Sequence, residues 1–471
     1  MESYARSAWD GWRAIAAAVL VFGIAGAPSL CRALPAFNRQ TGQNCMACHA
    51  GGQFPELTPY GRLFKLTGYT IGERNVIPLS AMALISDSKV SNTSKSDDPG
   101  ADFQKNGSLL FATASVFAAG KITDNIGAFL QVTYDNYASQ SENGDFHGHT
   151  SADNMDIRYA DRFVDENHDW IYGISANNNP SVSDPWNSVA AWMQYVPVPS
   201  PTSSSFIDGN APYTGFASGG NISGLTGYVF WNQSVYLELG GYRSATGLAS
   251  FMSAGVAYEE KVSLQVTNPY WRLAYNKAWG ASSIMLGISG MNADIYDDPL
   301  DTSDPQSIHH FRDAGFDGQY QYLLDPSAVT VQLAYMHDEH RPPGFLANQP
   351  VSDVNGNPLP NTNTRDSVNV LRAKASYVYA AKYGGALAWF NQTGSTDSAL
   401  YDPTRVFGNI SANPAVRGWT SEIFWMPIQY LRIGVQYTGY EKYNGASHNY
   451  DGAGRNASDN NSLFFYLWAA Y

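Results

Sequence analysis

Five consecutive residues carry the clearest chemistry in the sequence: Cys45, Met46, Ala47, Cys48 and His49. Two thiols three residues apart on one turn of chain can each add to a vinyl group of a single porphyrin, and the adjacent imidazole is then held beneath the iron. The C-x-x-C-H pattern therefore predicts one covalently attached haem c. Cys45 and Cys48 are the expected attachment points, and His49 is the expected proximal ligand.

Two other uses of closely spaced cysteines are a thioredoxin-like redox pair and half of a zinc site. The first requires a strand–helix–strand context and the second requires further cysteines or nearby histidines, and the sequence around residue 45 provides neither. Nor can two thiols this close form a disulfide framework for a chain of 471 residues. Haem attachment is therefore the favoured interpretation.

The haem-bearing stretch, residues 34–75, is predicted to be a small c-type cytochrome segment of helix and coil. A core of about forty residues is too small to shelter a haem alone, so the rest of the protein is expected to cover it. This stretch has no histidine besides His49, and its only methionine, Met46, is held inside the motif. Met82 is the nearest downstream candidate for the distal iron ligand; a weaker ligand in the sixth position is the alternative.

Residues 1–33 are predicted to be an export signal. Arg6 and Arg13 flank a polar start, and the apolar run at 14–30 is short for a membrane span. Cleavage after Ala27 or Ala33 is compatible with the small residues there, and cleavage after Ala33, which also removes Cys31, is favoured. A membrane anchor is the alternative.

The composition is typical of a transmembrane β-barrel. The chain has 15% charged and 14% aromatic residues, with 30 Tyr and 43 Gly, whereas soluble proteins carry about 25% charged residues. After residue 33 no run approaches about 20 apolar residues, which argues against a helical membrane protein. The formal net charge of −13 disfavours a nucleic-acid partner and favours a cationic one.

From residue 76 to 471 the chain is predicted to form an all-β transmembrane barrel of about 16 antiparallel strands. Polar and apolar residues alternate with period two, as at 128–135, 371–379 and 431–438, which is typical of strands between lipid and a wet lumen. A soluble β-sandwich is the alternative. The last strand ends on the aromatic Tyr471, as substrates of the barrel-assembly machinery commonly do.

Connections of alternating length support the barrel. Short turns are predicted at Thr123–Asn125, Asp165–Asn167, Asn232–Gln233, Trp279–Gly280, Asp325–Ser327, Tyr383–Gly385 and Pro427–Ile428. Long polar loops are predicted at 91–105, 139–151, 179–222, 246–261, 296–307, 339–366, 396–414 and 444–460. Short turns of outer-membrane barrels face the periplasm and long loops face outside, so the haem segment is expected on the periplasmic side or inside a lumen that it can plug.

Two stretches resemble the fused monohaem cytochrome–porin family. The first runs through Ala36–Gly42, the C-x-x-C-H motif, Phe54–Leu57 and Gly61–Thr70, and the second is Asn177–Asn187. Members of this family are best known as outer-membrane iron oxidases of Gram-negative, iron-oxidising bacteria. The resemblance, which covers residues 34–471, implies that extracellular Fe(II) is oxidised and that the electron passes through the haem to a periplasmic cytochrome c.

Iron(II) prefers carboxylate, imidazole and water ligands. The predicted loop at 142–149 offers two carboxylates and two imidazoles, and His147 and His149 are its candidate Fe(II) ligands; a solvated polar loop is the alternative. Two further sets could meet at the extracellular rim: Asp297, Asp298, Asp301 and Asp304 with His309 and His310, and His337, Asp338, Glu339 and His340.

Three functions compete on the sequence. The first is an outer-membrane Fe(II) oxidase that moves one electron inward. The second is a cytochrome-fused porin or electron conduit with another donor or a solute-transport role, and the third is a haem-based sensor that gates a pore. No G-x-S-x-G, Walker or H-E-x-x-H motif supports a hydrolase.

Overall fold

The computed structural model describes residues 35–52, 56–92, 107, 109–140, 146–187, 221–254, 262–352, 358–359, 362–401 and 409–471. The predicted export signal therefore lies outside the described residues, as do Cys31 and the carboxylates of Glu142 and Asp145. No helix within the described ranges is long and apolar enough to cross a membrane.

Sixteen strands of the described chain close into one antiparallel barrel in which each strand pairs with its neighbours in sequence. The first and last strands close the barrel, with Met82 opposite Ala470 and Val90 opposite Ser462. The strands are β1 (Leu79–Val90), β2 (Leu109–Lys121), β3 (Ile126–Gln140), β4 (Phe146–Val164), β5 (Asp169–Asn177), β6 (Ile222–Trp231), β7 (Val235–Ser244), β8 (Asn268–Trp279), β9 (Ser282–Tyr296), β10 (Ile308–Leu324), β11 (Ser327–Arg341), β12 (Asp366–Tyr379), β13 (Tyr383–Gly394), β14 (Val416–Ile428), β15 (Leu431–Lys442) and β16 (Ser462–Ala470). Outside the barrel, two further strands of two residues each, Val351–Ser352 and Pro358–Leu359, pair with each other. The predicted strand number is confirmed.

The alternation of short turns and long loops is also confirmed. All the short turns lie at one end of the barrel, which is called the short-turn end below, and the loops lie at the other, the long-loop end. Two predicted turns were displaced. The β12–β13 turn contains Ala380 and Ala381, both with left-handed φ (53° and 49°), whereas Gly384 lies within β13, where an added Cβ would collide with the ring of Phe424.

The second displaced turn is the one predicted at Pro427–Ile428. These residues end β14, and the chain reverses at Gln429 and Tyr430 instead. The β14–β15 register shifts between Trp425 and Ile428, and this irregularity carries the strand two residues further than its alternation indicated.

Side-chain alternation separates an apolar outer face from a polar inner face. On β15, Leu431, Ile433 and Val435 face outward, and Gln436 and Thr438 face the lumen and are buried. Large apolar side chains are exposed on the outer face of many strands, among them Leu225, Leu273, Leu286, Leu333, Leu387 and Ile423. A soluble sandwich would bury such residues, whereas a barrel in lipid exposes them.

Among the described residues, five short α-helices accompany the barrel: α1 (Pro35–Thr41), α2 (Cys45–Cys48), α3 (Pro59–Leu66), α4 (Pro180–Ser183) and α5 (Ser398–Tyr401). α3 begins where the Thr58 hydroxyl accepts a hydrogen bond from the Gly61 amide at 3.1 Å, with Pro59 in the first turn. These two residues define the start of this helix.

The N-terminal segment, residues 35–52 and 56–75, packs against the inner face of the barrel near the short-turn end. The Gln40 side chain accepts a hydrogen bond from the Lys121 amide at the end of β2. On the opposite wall, an added Cβ at Gly51 would meet the side chain of Val378 at the end of β12. The segment therefore spans the lumen from wall to wall.

Candidate functional site

The C-x-x-C-H motif forms a single capped helical turn. The Asn44 side chain accepts a hydrogen bond from the Ala47 amide at 3.2 Å, and the His49 amide donates to the Cys45 carbonyl at 2.8 Å. Cys45 and Cys48 are half-buried on this turn and are not joined by a disulfide, and the His49 imidazole follows directly. Both cysteines and the histidine therefore lie on or directly after one helical turn, and haem attachment there stays a prediction.

The imidazole of His49 has a nitrogen that the protein leaves available. Its Nδ1 is buried and has no hydrogen-bond partner among the described residues. Burial lowers the pKa of His49 to about 4 against the opposing effect of Glu56, so the ring is neutral at neutral pH, which is the form that binds a metal. Burial, together with the neighbouring Cys45 thiol, raises the pKa of Cys48 to about 11.

Helix α3 and its N-cap residue pack against the motif turn. The Thr58 amide donates to the Cys48 carbonyl at 2.9 Å, and the Thr58 hydroxyl donates to the Ala47 carbonyl. An added Cβ at Gly61 would collide with the backbone of Cys48. The close approach of the two helices therefore depends on a residue without a side chain at position 61.

The barrel wall supplies charges beside the motif. The Glu56 carboxylate is buried and lies 2.5 Å from the Nζ of Lys374 on β12. Burial tends to raise the pKa of Glu56, but Lys374 outweighs it and holds the pKa below its usual value. Arg432 on β15 lies 2.8 Å from Glu422 and stacks over the ring of Phe424, and the Cys45 sulfur lies 4.0 Å from the Gln429 carbonyl in the adjoining turn.

Met82, the candidate distal ligand, lies on the inner face of β1 at the same end of the barrel. Its sulfur accepts a hydrogen bond from the indole Nε1 of Trp468 on β16 at 3.4 Å. A thioether sulfur keeps a second lone pair when it accepts one hydrogen bond, so this contact is compatible with metal ligation.

A second chain segment enters the lumen from the long-loop end. Residues 178–187, here called the infolded segment, follow β5 and include α4. Lys65 of α3 donates from Nζ to the carbonyl oxygen of Asp184 at 2.8 Å and to the side chain of Asn187 at 3.2 Å. Leu63 and Leu66 of α3 share an apolar cluster with Trp186. The sequence predicted this segment as part of an external loop, because nothing local distinguishes a loop that folds inward.

Buried ion pairs join these parts to the wall. The Arg272 guanidinium on β8 lies 2.7 Å from Asp317 and 3.3 Å from Asp184 of the infolded segment. On the other side, Tyr69 donates to Asp156 at 2.6 Å, and Arg158 contacts the same carboxylate. These contacts join the N-terminal segment and the infolded segment to the barrel wall through ion pairs and hydrogen bonds.

The predicted rim clusters of His and Asp residues do come together at the long-loop end. The Nδ1 of His309 lies 2.8 Å from the Nε2 of His340, and the Nε2 of His309 lies 2.9 Å from Asp297. His310 instead faces outward and bonds Asp294 at 2.7 Å, and His337 bonds Asn369 at 2.8 Å. Within the described ranges, no group of three or more His, Cys, Asp or Glu side chains is arranged to hold a metal ion.

His147 and His149 lie in β4 and not in a loop, which corrects the sequence prediction of their surroundings. They stand opposite Ser139 and Asp135 of β3, and the Nε2 of His149 lies 3.1 Å from the Ala254 carbonyl. The β3–β4 hairpin continues beyond the apolar part of the strands because backbone pairing tolerates polar side chains where the hairpin is exposed. Their assignment as Fe(II) ligands stays a prediction.

The closed, even-numbered antiparallel barrel, with short turns at one end, long loops at the other and an apolar outer face, defines a porin-like barrel of the outer-membrane class. No protein-family model matches the sequence, and no curated protein matches it.

Solved structures of outer-membrane proteins are similar to this chain at low identity. One is a loop L8 deletion mutant of OmpT from Vibrio cholerae, with 8% identity over 83% of this chain and 98% of that chain, at a TM-score of 0.42. Another is Salmonella typhi OmpF in complex with daunomycin, with 11% identity over 83% and 97%, at 0.44. A third is the channel DcaP of Acinetobacter baumannii, with 12% identity over 83% and 96%, at 0.43.

Proposed function

We propose that this protein is an outer-membrane c-type cytochrome that takes electrons from extracellular Fe(II) and delivers them to a periplasmic cytochrome c. The observation that carries the proposal is a C-x-x-C-H turn held inside a closed barrel, with the His49 Nδ1 buried and without a hydrogen-bond partner among the described residues. A solute channel has no need of such a turn in its lumen.

Cys45, Cys48 and His49 fit a haem c, which would supply one-electron chemistry when bound. The chain contributes the enclosure that residues 35–75 are too small to provide. Phe37, Phe64 and Tyr69 form an aromatic group within the segment, with ring centroids 4.8 to 5.9 Å apart; Phe37 stacks on Tyr69, and Phe64 meets both rings edge to face. Glu56 and Lys374 anchor the motif to the wall by an ion pair.

The expected orientation follows from the barrel class. Short turns of outer-membrane barrels face the periplasm, and Cys45 lies beside such a turn at Gln429. An electron leaving the motif would therefore reach the periplasmic side over a short path, while the long-loop half of the lumen faces the donor.

The proposal is tested on full-length protein purified from the outer membrane of a host with cytochrome c maturation. We expect one covalent haem per chain in the mass spectrum and a reduced c-type absorbance spectrum after anaerobic mixing with Fe(II). Cys45→Ser/Cys48→Ser should remove the covalent haem, whereas Cys31→Ser, which alters the thiol upstream of the predicted cleavage site, should not.

Absence of covalent haem from the wild-type protein would overturn the proposal as a whole. A haem that ascorbate reduces and Fe(II) does not would overturn only the choice of donor. The second candidate, a conduit for another donor or a solute, would then be favoured; it is supported by the lumen of a sixteen-stranded barrel, which is wide enough for water.

A further inference from the structure

Three arginines meet one glutamate on the outer face of the barrel, at the long-loop end of β10–β12. The Glu339 carboxylate lies 2.7 Å from the Nε of Arg341 on the same strand and also contacts Arg365, just before β12. Arg312 on β10 is the cross-strand partner of Glu339 and attracts the same carboxylate. Arg312, Arg341 and Arg365 are called the arginine group below.

The carboxylate is covered, whereas the guanidinium groups around it are open to the outside. Glu339 is 9% exposed, and the side chains of Arg341 and Arg365 are 46% and 59% exposed. A guanidinium has five N–H donors in a planar fork, and one carboxylate cannot accept from three such forks. The arginine group therefore presents donors outward that Glu339 does not use.

The charges of the group do not balance. Three guanidinium groups and one carboxylate leave two positive charges, and the positions in register on either side are the neutral Asn292 on β9 and Ser367 on β12. The acid one row nearer the loops, Asp294, contacts His310 at 2.7 Å. A phosphate group carries up to two negative charges, and its oxygens match the guanidinium fork. The arginine group thus has the charge and the geometry of a phosphate site.

The height of the group on the barrel points to the source of the phosphate. Ten residues of β10 separate Arg312 from Tyr322, which faces outward near the short-turn end. At about 3.3 Å per residue and a tilt of about 40°, this is about 25 Å, the height of the apolar band of an outer-membrane barrel.

The aromatic rings beneath the group mark the upper edge of this band. The ring of Phe316, on the same face of β10 as Arg312, is 45% exposed and stacks with Tyr335 at a centroid distance of 5.5 Å. The Tyr335 hydroxyl donates to Asn369 on the side of the long-loop end, so its polar end is directed away from the apolar band. Aromatic residues of this kind lie at the membrane–water interface. The arginine group therefore lies at the level of the lipid headgroups.

We propose that the arginine group binds the phosphate groups of a lipid in the outer leaflet of the membrane. The phosphate oxygens accept hydrogen bonds from the exposed guanidinium groups, and the acyl chains lie along exposed apolar side chains such as Phe316 and Leu333. Glu339 acts as a positioning residue that holds Arg341 and Arg365 together. The inference depends on the barrel and on neither the haem nor Fe(II).

The test measures lipid binding to full-length protein in detergent. The protein is stripped of lipid and titrated in mixed micelles with diphosphoryl lipid A, with EDTA present so that no divalent cation bridges the phosphates, and bound lipid is counted by native mass spectrometry. We expect one retained lipid per wild-type chain and an affinity at least about tenfold lower in Arg312→Gln/Arg365→Gln, which loses charge-assisted hydrogen bonds. This variant keeps Arg341 as the partner of Glu339.

The matched control is Arg243→Gln/Arg417→Gln. It removes two exposed, outward-facing arginines at the long-loop ends of β7 and β14, so it changes the net charge equally and should bind lipid A as wild type does. Correct folding of each variant is checked by its heat-dependent migration in detergent gels.

Three results would overturn the inference: no lipid A retained by wild type, equal affinities of the two double variants, or equal binding of lipid A and of the same lipid without phosphates. The last result would mean that only the acyl chains are recognised. Displacement of lipid A by an equal concentration of inorganic phosphate would assign the group to a soluble anion and would also overturn the choice of a lipid.

Discussion

The ammonium of Lys65 donates a 2.8 Å hydrogen bond to the carbonyl oxygen of Asp184. Lys65 belongs to the N-terminal segment, which lies in the short-turn half of the lumen, and Asp184 belongs to the infolded segment, which enters from the opposite end. Their contact joins the two segments across the interior, and the Arg272 side chain ties Asp184 to the wall. The barrel is therefore obstructed at this level by two separate parts of the chain that hold each other in place.

Lys65→Met should loosen this junction and raise the ion conductance of the barrel. The variant keeps the aliphatic stem but removes hydrogen bonds from a charged donor, each of which stabilises by roughly 1.5–3 kcal/mol. Single-channel recording in planar bilayers should detect longer or larger openings than in wild type. Lys382→Met, at an exposed position in a short turn, is the control; equal conductance in the two variants would contradict the role of Lys65.

The buried ammonium of Lys65 should also make the folding stability of the protein depend on pH. Burial lowers its pKa to about 8, from an ordinary value of 10.5. Between these values the unfolded chain binds more protons than the folded one, so stability should rise with pH across this window, by up to about 3 kcal/mol. Thermal unfolding from pH 7.5 to 10.5 should show this rise in wild type and a smaller one in Lys65→Met; parallel curves would exclude Lys65 as its source.

Glu56→Gln should destabilise the attachment of the motif to the wall. It leaves the buried Lys374 ammonium without its carboxylate, and breaking one side of a buried ion pair costs roughly 3–5 kcal/mol. We expect a lower unfolding temperature and, in haem-loaded protein, an altered reduction potential. Glu73→Gln, at an exposed position of the same segment, should change neither, and Glu56→Gln/Lys374→Met should recover part of the stability.

Gly61→Ala should separate α3 from the motif turn. The new methyl group would collide with the Cys48 carbonyl, which is backbone and cannot move aside by a rotamer change; overpacking of this kind costs roughly 1–3 kcal/mol. The measurable result is less covalent haem per chain. Gly344→Ala, where an added Cβ meets nothing within 4 Å, is the control, and equal haem content in both variants would contradict the close packing.

Met82→Ala tests the distal ligand. If Met82 ligates the iron, the near-infrared sulfur-to-iron band of the oxidised protein should disappear in the variant. Trp468→Phe removes the indole donor that contacts the Met82 sulfur and should shift this band without abolishing it. A band that survives Met82→Ala would exclude Met82.

The local features of this protein follow from the sequence because their causes are local. The C-x-x-C-H turn is determined by spacing along the chain, and the strands are determined by an alternation that repeats every two residues. The number of strands and the order of short and long connections could be counted from these patterns. The β12–β13 turn shows where prediction from sequence patterns fails. Gly384 suggested a turn, but it lies in a strand, and a glycine is needed there because the ring of Phe424 on the next strand covers it.

Only the tertiary structure decides what meets inside the barrel. Glu56 and Lys374, Lys65 and Asp184, and Asp313 and Asp338 come together because barrel closure and strand register set which inward residues share a level. Register is a property of whole strand pairs, and a shift of one residue would turn each of these side chains to the other face. The sequence thus determines the motif and the strands by short-range chemistry, while long-range closure determines the surroundings of the motif and its partners.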